Sequence, residues 1–360
     1  AEEIDRYIHQ IAFSGANDFL EKYKNDANAI IGHFGLGFYS AFMVAKSVDI
    51  ITRSYKEDAQ AVKWSCDGSP SFTLEECDKA DRGTDIVLHI DDDCKEFLEE
   101  SRLSSLLTKY CRFLPISIAF GKKKEWKDGK QVETDELNII NDTNPLWTRT
   151  PSELTDEDYK KFYRDLYPMS DEPLFWIHIS ADYPLNFKGI LYFPKINTEY
   201  ESIEGTIKLY NNQLCIADNI KEVIPEFLML LKGVIDCPDL PLNVSRSALQ
   251  NDGFVKKISE YITKKVADKL IGMCKTEKES YEKYWDDISP FIKFGCLKDE
   301  KFCEKMNDYI LFKNLEGKYL TLPECLEENK EKHENTVFYV TDEIAQGQYI
   351  KMFKDEGMDA

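Results

Sequence analysis

The sequence Gly32-His33-Phe34-Gly35-Leu36-Gly37-Phe38-Tyr39-Ser40 places two closely spaced glycines in a short turn that runs directly into the apolar residues 41–45. Glycine reaches backbone conformations with positive φ, so Gly35 and Gly37 allow the chain to pass close to a ligand. The first N–H groups of a helix have no partner within the helix and attract anions. The stretch therefore predicts a phosphate-binding turn followed by a helix. An ordinary turn between two helices is the alternative, because the pattern matches neither a P-loop nor a dinucleotide fingerprint.

The sequence on both sides of this turn predicts an α+β module. Residues 3–24 are typical of two short helices around Ser14-Gly15. Apolar and polar residues then alternate with period two, as in half-buried antiparallel strands, over residues 48–52, 62–66, 72–74, 86–90 and 116–120. Residues 95–110 predict a helix that buries Leu103, Leu106, Leu107 and Tyr110. We therefore expect an antiparallel sheet with helices packed on one face.

The remaining sequence predicts a linker and a second module. Residues 121–136 are charged and lose periodicity, which is typical of an interdomain linker. Thr155 followed by Asp158 predicts a helix start. Strands are predicted over residues 176–179, 189–193, 207–210 and 213–217, and helices over residues 225–233 and 255–273. A smaller, mostly helical unit begins near residue 281, with a strand at 336–340.

Composition excludes several classes of function. The net charge of -20 repels phosphate backbones, and the one dense basic run, Lys122-Lys123-Lys124, is short, so we expect no nucleic-acid partner. No apolar stretch is long enough to cross a bilayer and no signal peptide is evident, which favours the cytoplasm and no membrane partner. The ten cysteines are scattered and contain no C-x-x-C pair, so we interpret them as reduced thiols and predict no metal site.

Two further stretches carry polar residues that packing alone does not explain. In Asp81-Arg82-Gly83-Thr84 a glycine precedes a threonine at the start of a strand, so the Thr84 hydroxyl could face a cleft beside the sheet. The alternative is that Thr84 is simply a good strand residue. In residues 240–250 a proline-stiffened loop precedes a helix whose first turn carries Arg246, although a cation there opposes the helix dipole. This placement predicts an anion near Arg246, such as a nucleotide γ-phosphate; a solvated surface arginine is the alternative.

Four motifs together resemble one family. Ile31-Gly32-His33-Phe34-Gly35-Leu36-Gly37-Phe38-Tyr39-Ser40, Asp81-Arg82-Gly83-Thr84, Pro145-Leu146-Trp147-Thr148-Arg149 and Asp239-Leu240-Pro241-Leu242-Asn243-Val244-Ser245-Arg246 stand in the order and spacing of the ninety-kilodalton heat-shock protein chaperones. The resemblance covers essentially the whole chain. The short linker resembles the bacterial branch of the family.

The resemblance implies a fold and a division into domains. Residues 1–120 would be the C-terminal part of an N-terminal ATPase domain of the GHKL type, an incomplete α/β sandwich whose lid spans about residues 1–34. The linker would span residues 121–136. An α/β middle domain would follow, with a large subdomain at 137–280 and a smaller, truncated, mostly helical subdomain at 281–360.

The resemblance also implies an activity. The full-length protein would be a homodimeric, ATP-dependent chaperone that uses ATP, with Mg²⁺, to remodel unfolded or partly folded client proteins. Two alternatives are a non-catalytic client-binding fragment and another GHKL ATPase. The site residues carried over are as follows: His33, Phe34, Gly35, Leu36, Gly37, Phe38 and Thr84 for the nucleotide, Arg246, Asn243 and Gln250 for catalysis at the γ-phosphate, and Trp147 for clients.

Trp147 has two interpretations. It lies among polar residues at the start of the second module, and an exposed aromatic side chain can anchor an apolar client segment. The alternative is a core side chain of that module.

The sequence also departs from the family. The general-base Glu, the magnesium-binding Asn and the adenine-reading Asp of a D-x-G-x-G loop all precede the lid, and no D-x-G-x-G occurs in this chain. Phe13 stands where relatives often carry Lys, and Leu214 where they often carry an aromatic residue. We interpret the chain as a fragment, with a dimerisation domain expected beyond Ala360, and expect it to bind ATP weakly or not at all by itself.

Overall fold

A computed structural model describes residues 1–11, 13–15, 35–127, 129–182, 186–195, 206–218, 224–240 and 252–360. The chain divides into two compact units. The first comprises Ala1–Asn144 with Asn212–Cys215, and the second comprises Pro145–Asn211 with Ile216–Ala360.

The first unit contains a four-stranded sheet. Its strands are β1 (Ala45–Arg53), β2 (Val62–Cys66), β3 (Phe72–Glu76) and β4 (Gly83–Ile90), in the order β3-β2-β1-β4. All neighbours are antiparallel, and Ile50 of β1 pairs with Trp64 on one side and Ile86 on the other. The predicted antiparallel sheet is therefore confirmed.

The core of this unit is small. The short helix α1 (Glu2–Tyr7) places Ile4 against Val48, Ile50, Val62 and Trp64. The second helix predicted within residues 3–24 falls mostly outside the described residues. The outer strands were predicted to be half-buried, but β3 is exposed throughout and Ile86 of β4 is 52% exposed. Alternation indicates a strand with one apolar face, but it does not show what covers that face.

A bent helical segment follows the sheet. The predicted helix at 95–110 is instead a 3-10 helix, Asp92–Leu98, followed by α2 (Glu100–Cys111). Leu103, Leu106 and Leu107 are only partly buried and Tyr110 is exposed, contrary to the prediction. Among the described residues, the 3-10 helix makes the most extensive contact with α2, so the apolar stripe of α2 has little to pack against.

The segment predicted to be an irregular linker is a β-hairpin. Strands β5 (Ala119–Lys127) and β6 (Lys130–Ile139) pair antiparallel on either side of Gly129, which has φ +76°. Both strands are largely exposed, and a Lys123–Glu136 ion pair of 2.8 Å joins them. Because neither face is buried, the sequence lacks the alternating apolar pattern from which a strand is predicted.

The second unit is built on a five-stranded sheet, of which only the first two residues of β10 are grouped with the first unit. Its strands are β7 (Phe175–Ala181), β8 (Phe187–Phe193), β9 (Ile207–Asn211), β10 (Leu214–Asp218) and β11 (Lys232–Asp236), in the order β10-β9-β11-β8-β7. Strand β11 is antiparallel to β8 and parallel to β9. Gly233 has φ +143°, and a Cβ there would lie 2.0 Å from the carbonyl oxygen of Ile190, so the close pairing of β11 with β8 requires glycine.

The prediction of a helix over residues 225–233 is wrong. A 3-10 helix covers only Glu226–Leu230, and β11 follows it. Val234 and Ile235 are fully buried in the sheet. A short run made almost entirely of apolar residues is compatible with a buried strand and with a buried helix. The sequence pattern therefore could not distinguish the two here.

Helices cover this sheet. Helix α3 (Asp156–Leu166) begins at the predicted Thr155 cap, where the Thr155 hydroxyl accepts the Asp158 N–H and the Asp158 carboxylate accepts the Thr155 N–H. Further α-helices and strands of this unit are α4 (Asp252–Thr276), α5 (Lys278–Lys298), α6 (Glu300–Met306), β12 (Leu311–Lys313), β13 (Tyr319–Thr321), α7 (Leu322–Glu328) and α8 (Gly347–Asp355). The predicted stripe of α4, formed by Ile258, Ile262, Val266 and Leu270, is fully buried.

The end of the second unit differs from the prediction. Residues 336–340 form no strand, whereas the short hairpin of β12 and β13 was not predicted. Strands of three residues are too short to show a period. Within the described parts of the chain, no helix combines the length and the apolar character needed to cross a membrane.

Candidate functional site

The glycine turn is only partly described, since His33 and Phe34 lie outside the described residues. Gly35 has φ +63°, and a Cβ there would lie 2.2 Å from the carbonyl oxygen of Phe13, so both the backbone angle and the space require glycine. Gly37 has neither restriction. The backbone of the turn therefore passes directly against that of Phe13, at the position where relatives often carry Lys.

The segment after the turn is shorter than predicted. A 3-10 helix, Gly37–Met43, follows Leu36, and β1 begins two residues later. A helical segment therefore follows the turn, as expected, but it is a 3-10 helix that ends at Met43, and Ala45 already belongs to β1. Phe38 packs edge-on against Trp64 at 5.8 Å, and the Tyr39 hydroxyl donates a hydrogen bond to the carbonyl of Ile8. Through these contacts Phe38 and Tyr39 attach the end of the turn to α1 and to the core of the first unit.

Thr84 lies on the wall of a cavity in the first unit. The cavity has a volume of about 910 Å³ and is bounded by α1, β1, β3 and the start of β4. Ile50, Val62, Leu74 and Ile86 form an apolar floor. The Thr84 Oγ1 atom lies 2.7 Å from the Oγ1 of Thr52, which can in turn donate to the carbonyl of Gly83 at 3.3 Å. The paired hydroxyls leave hydrogen-bonding capacity at the edge of this floor.

The rim of the cavity is polar and carries charges of both signs. Arg53, Lys56 and Arg82 contribute cations, and Glu75 and Glu76 contribute anions. A mostly apolar floor, a few polar groups and a volume near 900 Å³ suit a ligand the size of a nucleotide. The described residues of the glycine turn, residues 35–38, are not part of the wall, so this part of the turn does not line the cavity together with Thr84.

The arginine-bearing loop cannot be placed. Asn243, Arg246 and Gln250 lie outside the described residues. The chain is described up to Leu240, which is buried, and again from the start of α4. Ahead of the loop, the Asp239 carboxylate accepts a hydrogen bond of 2.9 Å from the backbone N–H of Asn186.

Trp147 is buried, so the expectation of an exposed aromatic anchor is wrong. Its side chain is 0% exposed and contacts the rings of Phe162 and Tyr210 at 5.9 and 5.1 Å. The 3-10 helix Leu146–Thr148 turns the indole inward, and its Nε1 donates a hydrogen bond of 3.1 Å to Asp236. The structure therefore gives Trp147 the core position that we considered as the alternative.

Two polar residues near Trp147 were missed at the sequence level. Asp236, at the end of β11, is only 5% exposed. The sequence feature that could have revealed it is an acidic residue directly after the apolar run 233–235. His178 lies between the Tyr159 hydroxyl at 2.8 Å and the backbone carbonyl of Trp147 at 3.3 Å. Burial lowers the pKa of His178, so its ring stays neutral around pH 7.

No grouping of three or more His, Cys, Asp or Glu side chains suited to a metal ion occurs within the described ranges. The fold consists of two α+β units in series, the first of which carries a cavity of nucleotide size against an antiparallel sheet. This defines a protein of the α+β class with a candidate ligand site on its first unit.

Comparison with known proteins identifies the family. The sequence model of the family described as Hsp90 protein matches residues 121–359. The chain therefore belongs to the Hsp90 protein family.

Curated relatives extend the similarity over the whole chain. Chaperone protein htpG of Bacteroides fragilis (strain YCH46) is 63% identical over 362 residues, which cover 99% of this chain and 53% of the relative. Chaperone protein HtpG of Porphyromonas gingivalis is 56% identical with the same coverage. Chaperone protein HtpG of Desulfitobacterium hafniense (strain Y51) is 31% identical over 370 residues, covering 99% of this chain and 58% of the relative. The chain thus spans about half the length of the curated relatives that it matches.

Proposed function

We propose that the full-length protein is an ATP-dependent chaperone that assists the folding and remodelling of unfolded or partly folded client proteins. The observation that carries this proposal is the 63% identity, over 99% of this chain, to a protein named Chaperone protein htpG. Four motifs in register across both units support it, because they include the residues to which the family's nucleotide chemistry is assigned.

The nucleotide site of this proposal lies in the first unit. Bound ATP supplies a γ-phosphoryl group for hydrolysis. Thr84 would hold the nucleotide from the sheet edge, where its hydroxyl lines a cavity of suitable volume. The turn from His33 to Phe38 would contact the phosphates through its backbone N–H groups.

The catalytic part is assigned to the loop before α4. Arg246 would place a permanent positive charge at the γ-phosphate, supported by Asn243 and Gln250. A donor fixed beforehand near the developing charge lowers the barrier, because no solvent has to reorganise during the reaction. Phosphoryl transfer depends mainly on such positioning and charge stabilisation.

The partners follow from the same assignment. We propose unfolded client proteins and a second copy of the full-length protein as partners, and the cytoplasm as the location. Ten free thiols fit a reducing compartment. The net charge of -20 argues against nucleic acid. Trp147 is no longer proposed as a client anchor, since a fully buried side chain cannot offer apolar surface to a client.

The test separates ATP binding from hydrolysis. In the full-length protein, Arg246→Ala should lower the ATPase rate and leave ATP affinity near normal. Loss of one charge-stabilising donor typically costs ~3–4 kcal/mol of barrier, or roughly 10²–10³ in rate. Because a conformational step that limits turnover reduces this effect, we expect a decrease of at least about tenfold. Arg164→Ala is the matched control: Arg164 is an exposed arginine of α3 that pairs with Glu157 and Glu172. Hydrolysis by Arg246→Ala at the parental rate would contradict the proposed role of the arginine.

A further inference from the structure

Two threonine hydroxyls meet on the wall of the cavity in the first unit. Thr52 of β1 pairs with Thr84 of β4 in the antiparallel register, two residues along from the pair of Ile50 and Ile86. Because successive side chains of a strand point to opposite faces, the four residues share one face of the sheet, and all four line the cavity. A hydroxyl pair therefore adjoins the apolar floor.

The two threonines differ in exposure. Thr52 lies between Val62 of β2 and Thr84 of β4, its two partners across the sheet. Val62 is buried and Thr52 is partly buried, whereas Thr84 is exposed. A ligand in the cavity therefore reaches Thr84 more readily, and Thr52 lies on the core side of Thr84.

The hydrogen bonds of the pair fix the direction of the hydroxyl protons. The Thr52 Oγ1 atom lies 2.7 Å from the Thr84 Oγ1 atom and 3.3 Å from the carbonyl oxygen of Gly83. A hydroxyl carries one proton, and a carbonyl oxygen only accepts. Both contacts are satisfied together only when Thr52 donates to Gly83 and Thr84 donates to Thr52. The proton of Thr84 is then used within the protein, and only its lone pairs remain for a ligand.

We propose that Thr52 is a positioning residue that makes Thr84 a hydrogen-bond acceptor for the nucleotide. The role of Thr52 rests on the proposed function, since it takes the cavity to be the nucleotide site. The group that meets Thr84 is then a donor, either an N–H of the base or an O–H of the ribose. An ionised phosphate oxygen only accepts, so the phosphates lie away from Thr84. A hydroxyl whose direction is fixed in advance loses less freedom when the ligand binds.

Substitutions of similar shape in the full-length protein test this role. Thr52→Val keeps the β-branched side chain but removes the acceptor, so the Thr84 O–H can rotate towards the ligand and oppose its donor. The dissociation constant for ATP, measured by calorimetry, should rise by roughly two- to tenfold, the effect of one neutral hydrogen bond. Thr52→Ser keeps the hydroxyl and should bind ATP as the wild type does. Thr73→Val is the matched control and should leave ATP affinity unchanged, because Thr73 is an exposed residue of β3 that does not line the cavity.

A double-mutant cycle separates positioning from a merely structural role. In the Thr84→Val background, Thr52→Val should cause no further loss of ATP affinity, because no hydroxyl is left to position. A structural contribution of Thr52 to the sheet would weaken ATP binding equally in both backgrounds, and that result would overturn the proposal.

ATP analogues identify the donor. Purine riboside triphosphate lacks the amino group of adenine, whereas 2′-deoxy-ATP and 3′-deoxy-ATP each lack one ribose hydroxyl. The effect of Thr52→Val should disappear with the analogue that lacks the donor facing Thr84. An effect that persists with all three analogues would overturn the assignment of Thr84 as an acceptor for the nucleotide.

Failure of this role differs from failure of the nucleotide site itself. Unchanged ATP affinity in Thr52→Val, together with weaker binding in Thr84→Val, would overturn the role of Thr52 and leave the nucleotide site in place. Absence of ATP binding by the wild-type full-length protein would overturn the proposed function, and the role of Thr52 with it.

Discussion

The indole Nε1 of Trp147 donates a hydrogen bond of 3.1 Å to the Oδ2 of Asp236, and both side chains are withdrawn from solvent. The two residues are 89 positions apart in the sequence. The bond therefore joins the start of the second unit to the end of β11, the strand that precedes the arginine-bearing loop. It makes Trp147 a structural part of the core.

Trp147→Ala should destabilise the second unit strongly. Truncating a buried tryptophan typically costs about 3–5 kcal/mol of unfolding free energy, and here it also removes a hydrogen bond from a buried carboxylate. Urea unfolding monitored by circular dichroism measures the loss. Trp126→Ala, which removes an indole that is 72% exposed on β5, is the control and should change stability by less than about 0.5 kcal/mol. Equal stability of the two variants would mean that the indole of Trp147 is not part of the core.

Gly295→Ala should also destabilise the protein. The added Cβ would lie 2.7 Å from rings of Phe227 and Phe302, and such overpacking typically costs about 1–3 kcal/mol. Gly272→Ala in α4 is the matched control, since a Cβ there meets nothing within 4 Å. That change should stabilise by roughly 0.5–1 kcal/mol through helix propensity. Thermal unfolding of both variants compares the two helical glycines, and a stabilised Gly295→Ala would contradict the close packing described.

The stability of the first unit should depend on Asp49 in acid. Burial alone would raise its pKa, but hydrogen bonds from His89, Ser65 and Lys63 lower it to about 2, from the ordinary 3.8. A carboxyl whose pKa is lower in the folded state contributes stability above about pH 4 and loses it as the pH falls towards 2. Allowing for partial solvent screening, the contribution is about 1–2 kcal/mol.

Asp49→Asn tests this dependence. Urea unfolding between about pH 5 and pH 2.5 should show a shallower loss of stability in the variant than in the wild type. Asp92→Asn removes an exposed carboxylate paired with Lys95 and should keep the wild-type slope. Identical slopes for Asp49→Asn and the wild type would show that Asp49 does not contribute in this way.

The chain alone should bind ATP weakly or not at all. Its sequence contains no D-x-G-x-G motif for the adenine, and the described turn residues 35–38 do not join Thr84 around one cavity. Calorimetric titration of residues 1–360 with ATP and Mg²⁺ measures the affinity. Micromolar binding that is lost in Thr84→Val would show that the described cavity is sufficient for the nucleotide.

Strong local patterns were predicted correctly from the sequence. The cap at Thr155 and the apolar stripe of α4 each have a short-range cause, so the structure reproduces them. The misses have a different origin. The inward orientation of Trp147 depends on Asp236, far away in the sequence, and β11 looked helical because an all-apolar run has no period. The site was predictable only in part. Thr84 as a cleft residue follows from its glycine neighbour, whereas the other residues that line the cavity come from four stretches of the chain, within residues 1–8, 50–62, 74–76 and 82–86.

The position of β11 bears on the order in which the chain can fold during synthesis. Strands β7 and β8 can pair as soon as both have left the ribosome, and β9 can pair with β10 across the two-residue turn Asn212–Gln213, where both φ values are positive. Strand β11 is made last of the five, yet it lies between β9 and β8. Until it emerges, each hairpin exposes an apolar edge that can pair with another chain. During its own synthesis this protein is therefore open to the same edge-to-edge aggregation from which chaperones protect other nascent chains.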